Sequence, residues 1–284
     1  MGGGSWTTSA FTVYTSSTKN CTVDALENTA YSAQEFYHSK KIADELNPYN
    51  VIRECRDSEE HPNTFPVILA LDVTGSMGDA SVRVAQKLNQ IMTDIYNNRD
   101  VKDVEFCVMG IGDVAYDRAP IQISQFESDV RIAEQLDKVF FEGGGGGNYY
   151  ESYTAAWYMG VHHCELDCWK RGEKGVIITL GDELPNPSIP RRIGEVVGDS
   201  LQGDVETKEL VKEATEKFNI YHVSVDDRSS SYRHMKDAID GEWKKLLGSN
   251  YRVSNLDSLA GTISDIIAEC ANGTRLSSNS EASW

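Results

Sequence analysis

Two aspartates in this chain stand where apolar runs end, and one of them opens a cluster of alternating oxygen donors. In Asp72-Val73-Thr74-Gly75-Ser76 a carboxylate and two hydroxyls occupy alternate positions at the close of PVILALDV, residues 66–73. A tight turn of that spacing can aim all three side chains at one point, and the glycine between the hydroxyls tolerates a cramped backbone. Asp182, with Glu183 beside it, closes a second run, KGVIITLGDE. Hard oxygen donors of this kind suit Mg²⁺, which demands near-octahedral geometry and keeps several waters. Asp113 follows a third run, VEFCVMGI, after Gly112, and stands either in the outer shell of such a site or in the turn itself. Asp72 or Ser76 could each cap a helix. Capping treats each loop separately, however, and leaves oxygen donors at three strand ends unexplained.

The elements that must hold these residues are legible from hydrophobic pattern. The three runs are continuous and apolar, as expected of parallel strands buried on both faces. Residues 220–225 (IYHVSV) add a fourth strand, 251–253 a short one, and IQISQF an antiparallel edge. Helical spacing is expected over 24–46, 80–96, 129–139, 151–168, 204–218, 234–247 and 256–270. Buried strands alternating with helices imply an α/β, doubly wound, mostly parallel central sheet flanked by helices. In such a sheet ligands bind at the carboxyl edge of the strands, which is where the acidic residues fall. We expect an N-terminal arm and helix over 1–63 that pack on or extend the core, with 1–23 irregular or partly extended. The domain itself is expected over 64–270, with a frayed tail at 271–284.

DVTGS after an apolar strand resembles the metal-ion-dependent adhesion site of von Willebrand factor A (VWA) domains, whose usual form is DxSxS. IITLGDE matches the later strand that supplies a second aspartate. The resemblance covers roughly residues 64–270. It implies a Rossmann-like fold and one divalent cation, Mg²⁺ or else Mn²⁺ or Ca²⁺. The ion would be held by Asp72, Thr74, Ser76 and Asp182, the aspartates acting through bound water or directly. The family places a threonine after a Gly-Gly turn. Here the turn is GGGGGNYYESY, so either Asn148 or Glu151 takes that part or the site lacks that ligand. An extra carboxylate there would favour Ca²⁺ or Mn²⁺. The function implied is metal-dependent protein binding, with a partner's acidic side chain as ligand and no catalysis. Intracellular bacterial or phage-borne members imply an adaptor role, with an AAA+ ATPase or another system component as partner.

Other chemistries fit less well. The glycine run has no lysine after Gly147, which excludes a P-loop, and DVTGSMGD is not a dinucleotide fingerprint. No GxSxG elbow is present. Acidic residues outnumber basic ones 44 to 27, for a formal charge of −17, which argues against nucleic acid and against an anionic membrane surface. No run reaches the roughly 18 apolar residues of a membrane span. The start MGGGSW lacks the basic and apolar regions of a signal peptide, so a cytoplasmic location is expected. Cys164 and Cys168 beside His162 and His163 lack a second ligand pair at zinc spacing. Two alternatives stay open. One is a metal-dependent hydrolase of phosphate esters, for which the chain is short of second-metal carboxylates. The other is an assembly component that docks through the 1–63 arm and carries a degenerate metal site.

Overall fold

The computed structural model describes residues 4–98, 101–144, 149–227 and 231–279. Six strands share one sheet: β1 (Phe65–Asp72), β2 (Val104–Ile111), β3 (Ile121–Ile123), β4 (Gly175–Gly181), β5 (Phe218–Val225) and β6 (Tyr251–Ser254). Their order is β6-β5-β4-β1-β2-β3, parallel throughout except that β3 runs antiparallel to β2. Every residue of β1, β2 and β4 is buried, as their mostly apolar sequences require, with Glu105 and Thr179 among the buried residues.

The pleat of β1 divides the core in two. Val67, Leu69 and Leu71 face one layer, Ile68 and Ala70 the other. Around the sheet lie α1 (Thr8–Tyr14), α2 (Gly78–Gln86), α3 (Thr154–His162), α4 (Thr207–Lys217), α5 (Tyr232–Leu247) and α6 (Leu259–Asn279). The first layer takes Phe11 of α1, Val82 of α2 and Ile263 of α6. The second takes Trp157 of α3, Leu210 of α4 and Trp243 of α5. The architecture is therefore α/β and doubly wound. Strand order reverses between β1 and β4, and it is at such a switch point that the open sheet leaves a crevice for ligands. Leu71 stands opposite Leu180, so Asp72 and Asp182 finish on adjacent strand ends.

Four local expectations are corrected. Residues 1–23 are not wholly irregular: Thr7 caps α1 by accepting from the Ala10 amide, and Phe11 and Tyr14, three apart on one face, are buried. The segment 24–46 is not one helix but short pieces, Val23–Asn28, Ala33–Phe36 and a 3₁₀ turn at Asp44–Leu46. Extended backbone at Thr29 ends the first piece, and a capping box between Ser32 and Glu35 starts the second. The helix expected to reach Cys168 stops at His162. Cys164–Leu166 then pairs in parallel with Arg53–Cys55 in a separate two-stranded sheet. The last helix continues past 270 to Asn279, and the end of the expected tail, 280–284, lies outside the described residues. Among the described residues no helix is long and apolar enough to cross a membrane.

Candidate metal centre

At the end of β1 the chain turns sharply, with the Met77 amide on the Thr74 carbonyl at 3.2 Å, before α2 begins. Asp72 is fully buried there. Its Oδ1 accepts from the Thr74 amide (2.8 Å) and the Thr74 hydroxyl (2.5 Å). From the end of β4, Asp182 comes alongside: its Oδ1 accepts from the Ser76 hydroxyl (3.0 Å) and its Oδ2 from the Ser231 amide (2.6 Å). The glycine-rich segment is stitched to the same turn. The Gly75 amide donates to the Gly144 carbonyl at 2.9 Å, and a side chain at position 75 would press to 3.2 Å from the Gly143 carbonyl oxygen.

A tyrosine joins the two acidic loops. The Tyr153 hydroxyl donates to Asp72 Oδ2 (2.8 Å) and accepts from the amides of Asp182 (3.1 Å) and Glu183 (3.2 Å). Its ring lies over the bare backbone of Gly181, where an added Cβ would come within 2.2 Å of it. Tyr153 was not singled out in the sequence, because nothing local to YYESY distinguishes it. The indirect signal is a glycine at the last position of β4, directly before Asp182.

Of the residues expected at the site, Asp72, Thr74, Ser76 and Asp182 come together in this network. Glu151 is buried on a two-residue strand, Tyr150–Glu151, that pairs with Leu184–Pro185 just beyond Asp182. Asp113 is buried in its own turn, its Oδ1 accepting from the Ala115 amide at 2.7 Å. Asn148 lies outside the described residues. Two residues not anticipated are Ser231, whose hydroxyl donates to Glu183 Oε1 at 3.2 Å, and buried Asp117, whose Oδ2 accepts from the Asp113 amide at 2.8 Å.

Burial and mutual repulsion dominate the electrostatics of these carboxylates. Burial, and then the charge of Asp182, pushes Asp72 up to about 8 against the hydroxyl and amide bonds that favour its ionised form. Burial, and then Asp72, Glu183, Asp113 and Asp117, pushes Glu151 up to about 11. Asp182 is raised by burial, and Glu183 by burial and then by Asp182.

By donor chemistry these residues fit a hard divalent cation. Two carboxylates and two hydroxyls sit at adjacent strand ends, and the buried Oε2 of Glu151 has no hydrogen-bond partner. Among the described residues, no three or more His, Cys, Asp or Glu side chains are grouped to hold a metal. The oxygens of Asp72 and Asp182 are instead engaged by Thr74, Tyr153, Ser76 and Ser231. The zinc alternative has no support: His163 is occupied by Asp199 (2.9 Å) and the Val51 carbonyl (3.0 Å).

No family model matches the chain, and no curated protein does. Among solved structures it is similar to the pilus adhesin SpaC from Lactobacillus rhamnosus GG in its open conformation. That match has a TM-score of 0.51 and 14% identity over 80% of this chain. The chain spans 31% of that adhesin's length. The vWF domain of the type V pili tip protein Mfa5 from Porphyromonas gingivalis matches at a lower TM-score of 0.48. Identity there is 11%, over 74% of this chain and 96% of that one. At such identities the likeness concerns the fold alone.

Proposed function

We propose that the chain is a VWA-type binding module that holds one divalent cation at the β1–β4 switch point and uses it to capture a carboxylate of a protein partner. Asp72, Thr74, Ser76 and Asp182 would hold the ion, with Glu151 in the part of the absent threonine. Bound there, the ion supplies a positive charge and an exchangeable position for an incoming oxygen ligand. The observation that carries this reading is the Asp72–Thr74 and Ser76–Asp182 network, which brings both acidic strand ends to one place beside the unpaired oxygen of Glu151.

The surroundings support binding. Tyr116 and Tyr149, on loops next to the site, expose 63% and 57% of their surface. Exposed tyrosines give large contact area at low entropic cost in recognition surfaces. Tyr149 also holds a left-handed backbone, φ +59°, a conformation that costs a non-glycine residue energy and that clusters at binding sites. The loop of Tyr116 is tied to the segment after the glycines by the Val114 amide, which donates to the Ser152 hydroxyl at 2.9 Å.

The test is calorimetric titration of the EDTA-stripped chain with Mg²⁺, Mn²⁺ and Ca²⁺, wild type against Asp72→Ala. One saturable site that the variant loses is the expected result. No heat with any ion in the wild type would refute the metal reading, and two sites per chain would favour a hydrolase instead.

A further inference from the structure

Tyr153 does something at this site that neither acidic loop can do alone. Asp72 belongs to the end of β1, whereas Asp182 and Glu183 follow β4; the turns beyond these neighbouring strands meet through the Ser76 hydroxyl on Asp182, a bond that leaves the Asp72 carboxylate itself unheld from the β4 side. The only side chain among the described residues that is hydrogen-bonded to Asp72 from outside its own loop is Tyr153. The same oxygen receives both amides of the β4 turn. Two N–H dipoles therefore point at an oxygen whose own O–H points at a carboxylate, and bonds in such a chain polarise one another.

The ring that carries this hydroxyl cannot drift. It is fully buried, with His222 at 5.0 Å and Trp243 at 5.7 Å between ring centroids, and Gly181 lies beneath it. Trp243 in turn donates from its indole N–H to the Glu183 carbonyl at 3.0 Å. The β4 turn is thus held at its amides by Tyr153 and at its carbonyl by the residue packed against Tyr153.

We propose that Tyr153 is a positioning residue, clamping the two acid-bearing strand ends at the spacing a small cation requires; this rests on the cation-binding reading above. Mg²⁺ demands near-ideal octahedral geometry and Ca²⁺ tolerates varied geometry, so the clamp selects for the smaller ion. Removing one buried hydrogen bond to a charged group amounts to a factor of about ten in an equilibrium.

Tyr153→Phe keeps the ring and removes the clamp. Full-length wild type and variant are titrated with Mg²⁺ and with Ca²⁺, and backbone amide exchange at Asp182 and Glu183 is followed in EDTA. We expect Mg²⁺ affinity to fall about tenfold, Ca²⁺ affinity to fall clearly less, and both amides to exchange faster while the interior of β4 does not change. An equal loss for both ions would mean a merely structural tyrosine and would overturn the proposal, as would no loss. If the wild type binds neither ion, the cation reading fails and selectivity with it. The exchange data then stand separately: faster exchange at those two amides retains the clamp between strand ends, and unchanged exchange removes it.

Discussion

Glu151 shows what a single side chain contributes to this site and what it costs the fold. A carboxyl held neutral up to about 11 must take up a proton on folding that the unfolded chain, with its ordinary value of 4.5, does not carry at neutral pH. The raised value means that its stabilisation is complete below about 4.5 and is progressively lost as pH climbs toward about 11. Glu151→Gln removes that dependence. In EDTA the variant should be more stable than the wild type by on the order of 3 kcal/mol near pH 7, and the two should converge near pH 4. Chemical denaturation across that range measures it. A difference that does not change with pH would contradict the burial assigned to this group. The same variant should bind a divalent cation less tightly, because an amide oxygen replaces a carboxylate. Asp72, Thr74, Ser76 and Asp182 were readable at this scale, since a motif carries its own spacing. Tyr153 was not, because its role depends on the space left by Gly181 on another strand.

Strand β4 and the aromatic group around it set the next scale. Gly181→Ala would drive a methyl into the Tyr153 ring, which is enclosed by His222 and Trp243 and has no room to retreat. Overpacking of this kind destabilises by about 1–3 kcal/mol, and here it should also weaken cation binding, because the displaced ring carries the hydroxyl that joins the loops. Melting temperature and calorimetric titration report the two effects separately. His222 of β5 stacks on Trp243 at 3.6 Å, and its Nδ1 lies 2.8 Å from the Thr179 hydroxyl. Burial holds it well below the usual 6.5, so it folds neutral. The stability tied to it is present above about 6.5 and is lost as pH falls. His222→Phe, which keeps a stacked ring, should lessen the acid-side loss relative to wild type; parallel profiles for the two proteins would rule this out.

At the scale of the whole molecule, the described part of the N-terminal segment packs into the same core layer as the sheet. Trp6, Phe11, Tyr14, Leu26 and Phe36 share a core layer with Val67, Leu69 and Leu71 of β1, and the Tyr37 hydroxyl donates to the Ser81 carbonyl of α2 at 2.9 Å. Phe11→Ala should therefore cost about 3–5 kcal/mol, as at a core position, and should shift a single denaturation transition without splitting it. An early separate transition for the arm would mean that it folds apart from the sheet.

By itself the sequence determined the sheet and its edge. Short, mostly apolar runs between turn signals read as strands covered on both faces, and the polar residues that end them gather where those strands stop. It therefore placed β1, β2, β4 and β5 and put Asp72, Thr74, Ser76 and Asp182 at one sheet edge. Tertiary structure alone decided the rest. The arm's helices are too short for a periodic pattern and depend on caps and on a partner layer for stability. Cys164–Leu166 is a strand because Arg53–Cys55, more than a hundred residues earlier, offers it a ladder. The clamp between Asp72 and Asp182 exists because a tyrosine ring, brought in by α3's approach to the sheet, fills the space a glycine leaves. Local spacing encodes which atoms a loop can aim, whereas long-range packing decides what meets them.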